Sequence, residues 1–402
     1  MMKATLITRC LMVASLASSL PTAQAAGTWF EARNDAMGGT GVASSKYGAA
    51  PLLNPALLTK SGPSDDISII LPAVGAQVSD PDNLQDGFDN VKHTWDNLEN
   101  TTGTGHSASS AADLRKSLTD ISGHSGRADA GVGAMIAVPN ATLPFALVIK
   151  GWGQAKAHAV VSDSDLTYLD AASTGLVQPD DSTLNNLTSR AEGVAALISE
   201  YGIAMAHPFT LGKVPVSVGI TPKFQRVDTW NYNVAINNYS TSDFHSGDWQ
   251  RSKSGANVDL GFSADLTPEW TVALAVQNLV ARSVDTREVN GLQDSFNIRP
   301  QATAGTAWSN GLVTFAADID MTPASGFASD EKRQYASIGA ELNAWSWAQL
   351  RAGYRADMRN SGNNVVTAGI GISPLDVVHL DLTGMAGTDR TYGAVAQLSV
   401  TF

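Results

Sequence analysis

Cysteine is nearly absent: one residue in 402, Cys10, and it lies in a segment that reads as a leader. Without it a mature chain has no disulfide, no thiol nucleophile and no cysteine-ligated metal. Charge is scarce too, at 16% of residues against about 25% in an ordinary soluble domain. The formal balance is −12 and no basic cluster stands out, which argues against a nucleic-acid binder. Long apolar runs are missing as well. Past residue 20 none approaches the roughly 20 residues a membrane-crossing helix requires. Disorder is excluded, because apolar residues and strand formers recur to the last residue.

The first 25 residues carry the marks of a secretory signal. Lys3 and Arg9 open it, Cys10 to Leu20 is mostly apolar, and Ala23-Gln24-Ala25 offers small residues for cleavage near Ala25. An anchor helix would need about twice that apolar length. Export with cleavage is expected, leaving a mature chain of charge −14.

From residue 66 onward the hydropathy has period two. Tyr392, Ala394, Ala396, Leu398, Val400 and Phe402 share one face, and Thr391, Gly393, Gln397, Ser399 and Thr401 the other. Val313, Phe315, Ala317 and Ile319 stand likewise against Thr314, Asp318 and Asp320. Such alternation marks strands with one greasy and one polar or small face. Fourteen are expected, near 66–78, 128–138, 143–152, 191–206, 214–228, 253–266, 270–282, 298–308, 312–321, 334–343, 347–357, 364–373, 376–385 and 391–402.

Their connections alternate in length. Short ones hold turn residues, as in Pro139-Asn140, Thr267-Pro268, Asn310-Gly311 and Ser373-Pro374. Long ones are expected near 79–127, 154–190 and 229–252. Tight turns on one side and long loops on the other characterise bacterial transmembrane barrels. A soluble β-sandwich also alternates, but it has no reason to sort its connections so, and its outer face carries more charge. Trp270, Trp308, Trp345 and Trp347 all flank short turns, as an interfacial girdle would. The expected fold is therefore all-β: a transmembrane antiparallel barrel of about 14 strands over 64–402, contacting outer-membrane lipid. Lipid cannot satisfy an open strand edge, so the sheet must close.

Two regions break the alternation. Residues 26–63 hold Gly38-Gly39-Thr40-Gly41 and the tract Pro51-Leu52-Leu53-Asn54-Pro55-Ala56, and suit a plug inside a lumen too wide for wall side chains to fill. The glycines are not a phosphate loop, since no preceding strand and no Gly-Lys-Ser/Thr accompanies them. In the first long loop, Leu84, Phe88, Val91, Trp95 and Leu98 recur at helical spacing, and so do Leu114, Leu118 and Ile121. Two amphipathic helices follow, which either pack on each other as a cap or make the first five side chains a candidate ligand-facing groove. Leu166, Leu169, Leu184 and Leu187 hint at further short helices.

Catalytic chemistry finds little support. His379 and Asp381 share a face about 7 Å apart along a strand, too far for direct hydrogen bonding. The histidines lack metal-ligand spacing, and Asp80, Asp82 and Asp86 lack the glycine and glutamate of a calcium loop. No enzyme activity, cofactor or metal is expected. The inward charges Lys150, Glu200, Lys223, Asp259, Asp318, Asp320, Arg351, Arg355 and Asp381 mix both signs, favouring a plugged, ion-paired interior over a selective channel.

The N-terminal Ala32-Arg33-Asn34-Asp35-Ala36-Met37-Gly38-Gly39-Thr40-Gly41-Val42-Ala43 with Asn54-Pro55-Ala56 resembles the hatch of FadL-like long-chain fatty acid transporters. That opening and the C-terminal Gly393-Ala394-Val395-Ala396-Gln397-Leu398-Ser399-Val400-Thr401-Phe402 are more closely similar to the barrel-type outer-membrane proteins named conjugal transfer protein TraF. The resemblance implies that Gly38, Gly39, Asn54, Pro55 and Ala56 belong to a lumen hatch, that helical outer loops collect a ligand, and that a wall defect can release it sideways. It also implies that Phe402 is the terminal aromatic read by the barrel-assembly machinery. The expected function is passage or binding of a hydrophobic small molecule. The alternative is a structural part of a conjugal transfer or secretion apparatus, in contact with its proteins.

Overall fold

A computed structural model of the chain describes residues 30–62, 65–236, 249–330, 332–345, 347–374 and 377–402. The leader and its cleavage point lie outside the described residues. Fourteen strands close into one antiparallel barrel: β1 (Ser68–Ser79), β2 (Ser125–Val138), β3 (Phe145–Val160), β4 (Arg190–Leu211), β5 (Val214–Ala235), β6 (Gln250–Asp265), β7 (Trp270–Gln277), β10 (Gln301–Ser309), β11 (Val313–Asp320), β13 (Tyr335–Trp345), β14 (Ala348–Asp357), β15 (Val365–Ile372), β16 (Val378–Gly387) and β17 (Thr391–Thr401). Each pairs with its barrel neighbours in sequence, and β1 pairs with β17 to close the ring. Three short strands, β8 (Arg282–Asp285), β9 (Ser295–Ile298) and β12 (Gly326–Phe327), form a separate sheet from the loops flanking β10 and β11.

Alternation becomes two surfaces. Leu147, Ile149, Ile203, Phe315, Ile338 and Val366 are exposed on the outer face, while Lys150, Glu200, Asp318 and Glu341 are buried inside. Tyr392 and Phe402, both outward, are separated by about 33 Å of strand. With a strand tilt of about 40° this is roughly 25 Å along the barrel axis, the height of an apolar membrane band. Trp270, Trp308, Trp345 and Trp347 are exposed at the end carrying the tight turns. Trp345 and Trp347 stack at 5.9 Å, and Trp270 donates its indole N–H to Thr306 Oγ1 at 2.7 Å.

The wall is uneven in height. β4 and β5 have 22 residues each, whereas β7, β11 and β15 have 8. The expected loop 229–252 is partly strand at both ends, and β3 continues through Ala155, Ala157 and Ala159 into the expected loop 154–190. Strands can rise past the membrane here because both faces are covered. On the outward face sit helices α2 (Leu84–Thr101), α3 (Ser107–Ile121) and α4 (Asp163–Ser173), whose apolar residues pack with Ala159, Ala191 and Val234. On the inward face the three-stranded sheet places Val284, Phe296, Ile298 and Phe327 against Trp152, Ala196, Ile198 and Val227. β7 ends earlier than its hydropathy predicts. Asn278 has φ +57° and Asn278 N–H donates to Asp259 Oδ1 at 2.7 Å, so the chain leaves the wall there and enters the mouth.

Candidate functional site: a lumen closed at two levels

Residues 30–62 occupy the lumen. A short helix, α1 (Ala32–Ala36), is capped by Glu31, whose carboxylate accepts the Asn34 N–H at 2.7 Å. Gly38 and Gly39 follow with φ +75° and +85°, a conformation that glycine adopts without a Cβ clash, and reverse the chain. Gly38 N–H donates to Thr367 Oγ1 at 2.9 Å, and the N–H groups of Gly41 and Val42 converge on Asp318 Oδ2 at 2.7 and 2.9 Å. Asn54 caps the 3-10 turn Pro55–Lys60: its Oδ1 accepts from Ala56 N–H at 3.0 Å. Asn54 Nδ2 donates to Val42 O within the plug and to Phe262 O of the wall. Gly38, Gly39, Asn54, Pro55 and Ala56 thus all lie in the lumenal plug, the first two beside β14 and the last three against β5 and β6.

The wall makes room for this segment with glycine. At Gly219 a Cβ would lie 2.4 Å from Ala56 N; at Gly353 it would lie 2.1 Å from Gly38 N; at Gly339 it would lie 2.2 Å from Met37 O. Gly75, Gly261 and Gly369 also face plug atoms at 2.0 to 2.6 Å, and Gly305 faces Val42 Cβ at 3.0 Å. These residues sit on inward positions of seven strands, and the plug backbone lies directly on the sheet. Sequence reading passed over them, although glycine at inward alternation positions of successive strands was the available signal.

Buried charge and apolar packing together hold the plug from β7 round to β17, where Met37, Val42 and Ala43 meet Ala273, Ala307 and Ala316, and Phe30 and Ala32 meet Val365, Met385 and Val395. Arg33 forms a two-pronged contact with Glu341 at 2.8 and 2.9 Å, and Arg351 bridges Glu341 at 2.7 Å and Asp381 at 2.5 Å. All four are buried. Lys60 pairs with Asp265 at the lower rim. Opposite, Tyr47, Leu52 and Leu58 pack on Ile70, Met135, Val148, Ala204 and Ala206, so β1 to β4 are apolar on both faces there. Burial pushes the Asp35 carboxyl up to about 8, with Arg355 opposing the shift, and Asp35 Oδ2 has no hydrogen-bond partner among the described residues. Burial also raises Glu31.

Above the plug the interior stays polar. Lys150 and Lys223 each contact Glu200 at 3.1 Å, and Lys223 reaches Asp259 at 2.9 Å, an ion-paired row across β3 to β6. Higher still, the three-stranded sheet fills the mouth, a closure the sequence did not suggest. The apolar seam of the first loop has a different use from a groove. Leu84, Phe88, Val91, Trp95 and Leu98 are buried, at most 6% exposed, against Leu114, Leu118, Ile121 and Leu169. They form the buried core of a cap, the packed alternative of the two expected; the expected short helices appear as α4 and α5 (Asp181–Leu184). His379 has Ser373 Oγ at 2.6 Å from Nδ1, with Ser373 buried behind the turn, while Asp381 is held by Arg351. Among the described residues no cluster of metal-ligating side chains occurs.

Comparison with known proteins places this architecture. The barrel resembles the Ralstonia pickettii toluene transporter TbuX, with a TM-score of 0.54 and 13% identity over 93% of this chain and 98% of that one. A Pseudomonas aeruginosa FadL homologue gives 0.52 and 10% over 94% and 99%. The Pseudomonas putida toluene transporter TodX gives 0.51 and 13% over 93% and 98%. At these identities the likeness is one of fold alone, a FadL-type barrel. No curated protein matches in sequence. The family model described as "F plasmid transfer operon, TraF, protein" matches residues 51–320, more than half of the chain, and the chain belongs to that family.

Proposed function

We propose that the protein is an outer-membrane passage for a hydrophobic small molecule, opened by displacement of the plug. One observation carries the reading: the plug meets β1 to β4 along an apolar seam of Leu52, Leu58, Ile70, Met135 and Val148 among others, larger than its apolar contacts at Met37, Val42 and Ala43 or at Phe30 and Ala32. A polar solute gains nothing from such a seam, whereas an apolar one exchanges water for it. The wall beside it is irregular. Pro72 interrupts β1, whose register shifts against both β2 and β17 between Ile70 and Ala73. A bulge at that point is where an apolar solute would leave sideways into lipid. The toluene transporters of like fold favour the same class of cargo.

The reading includes export with cleavage near Ala25 and assembly through Phe402. That residue is 60% exposed on the lipid side, with its N–H bonded to Ile67 O at 3.0 Å. It assigns no catalysis to the Ser373–His379 contact. Uptake of a panel of apolar compounds into cells tests it. Replacing Asn54 and Pro55 by alanine, or deleting 82–122, should change uptake; unchanged rates across the panel would remove the proposal. The family description favours a second reading, a surface component of a transfer apparatus. Unchanged conjugation frequency on gene loss would exclude it.

A further inference from the structure

The mouth closure is tied to the wall unequally on its two sides. Toward β5 and β6 the ties are hydrogen bonds to backbone carbonyls and include no ion pair: Asn231 Nδ2 donates to Arg287 O and Leu292 O at 2.9 Å each, and Arg282 Nη2 donates to Ala256 O at 3.2 Å. Both loops that build the sheet are also covalently rooted in this half of the ring, between β7 and β13. Toward β2 and β3 the tie is ionic and comes from one residue. Asp330, at the end of the arm 321–330, receives Lys156 Nζ on Oδ1 at 2.9 Å and Gln154 Nε2 on Oδ2, with Arg127 Nη1 at 3.7 Å. Those three partners face inward from β2 and β3. In the ring order, β11 and β13 lie six or seven strands from β2 and β3, so the arm spans the lumen to its far wall.

We propose that the three-stranded sheet is an outer gate in series with the plug, and that Asp330 is its latch. Between root and latch the arm is joined to β9 by β12, by Ala328 N–H on Ser295 O at 2.8 Å and by Phe327 on Phe296 at 5.1 Å. The sheet meets the β3 wall through Phe296 on Trp152 at 6.1 Å, with no second ion pair to that wall among the described residues. Asp330 is largely buried, so its carboxylate is shielded from salt and its loss leaves Lys156 without its carboxylate. Arg127 keeps a two-pronged contact with Asp129 when Asp330 is removed, so the wall stays neutralised while the arm is freed. Opening at Asp330 would uncover Trp152 and Ile198 and the ion-paired row beneath.

The function of the gate rests on the passage reading, but its motion is measured without transport. With Cys10 replaced by serine, Ala324→Cys supplies a single reporter thiol in the buried arm. Its modification by a membrane-impermeant thiol reagent is followed in whole cells. Asp330→Asn, which keeps shape and removes charge, should speed labelling at least tenfold, and Asp330→Glu less than threefold. A second reporter, Ala49→Cys in the plug core, should keep its rate in Asp330→Asn. Equal labelling of Ala324→Cys in parent and Asp330→Asn overturns the proposal. So does equal acceleration at Ala49→Cys, which would mean a loosened barrel. If Asp330→Asn opens the arm and apolar uptake does not change, the latch stands and the passage reading falls.

Discussion

Replacing Glu341 by glutamine tests what keeps the plug in the lumen. The carboxylate is the junction of three charged groups, with Arg33 on two prongs and Arg351 at 2.7 Å, and Glu341 is 2% exposed. Glutamine preserves the volume and one acceptor but removes the charge. Arg351 retains Asp381 at 2.5 Å, so the uncompensated cation is Arg33, left with Ser44 O at 2.8 Å. Removing one member of a buried pair costs about 3–5 kcal/mol, and the surviving acceptor argues for the lower figure. About 3 kcal/mol is roughly a hundredfold in the ratio of seated to unseated plug. A thiol at Ala49, in the apolar half of the plug, should become correspondingly faster to label in the purified protein. The heat-modified gel shift of the barrel should stay put, because no strand ladder involves this side chain. Arg33→Met combined with Glu341→Gln should recover much of the loss, since the orphaned cation is then gone. Labelling within threefold of the parent, or additive losses in the double variant, would refute the ionic anchor.

Gly353→Val should unseat the plug as strongly, because its Cβ would fall 2.1 Å from Gly38 N and 2.2 Å from Met37 C, both backbone; labelling at Ala49→Cys measures this, and Gly384→Val, with nothing within 4 Å of its Cβ, is the control. Ile338→Arg, 60% exposed within the apolar band, should cost about 2–4 kcal/mol of barrel stability, read by denaturant unfolding in lipid vesicles. The seated plug also depends on pH through Asp35. Its carboxyl is raised from about 4 to about 8 in the folded state. A raised acid stabilises the seated form below the unfolded value, and that contribution fades as pH climbs toward 8. Plug labelling, taken relative to a solvent-exposed thiol at each pH to remove the thiolate dependence, should therefore accelerate between pH 5 and 8, and Asp35→Asn should flatten that ratio.

The barrel was legible because its signal repeats. Each of the fourteen expected strands has a counterpart, since lipid on one face and protein on the other force alternation at every turn of the wall. The limits failed where the environment changes. Above the membrane β3 to β6 are buried by helices outside and a sheet inside, so Ala155 to Ala159 and Trp230 to Tyr232 continue as strand where a loop is expected. The strands β8, β9 and β12 have two to four residues, too short for a period to register. Helical spacing found α2 and α3 but could not say whether their apolar faces meet each other or a ligand. That depends on a partner surface, here Ala159 and Ala191, some distance away in sequence.

The interior poses the harder problem, because alternation fixes only that a residue points inward. Lys150, Glu200, Lys223 and Asp259 occupy inward positions on four neighbouring strands, and only the register of those strands makes them a continuous ion-paired row. The same register sets Gly219 beside Gly261 and Gly339 beside Gly353, pairs that read singly as weak strand residues. Each pair is flat enough for plug backbone to lie on it. Over β7 to β17 the plug combines directional contacts with apolar packing, as where Val42 meets both Asp318 and Ala307; against β1 to β4, apolar on both faces, it packs with no ion pair among the described residues. A segment fixed in this way is freest to part from the wall on its apolar side, since displacement there breaks no ion pair and a hydrophobic solute can replace what is lost.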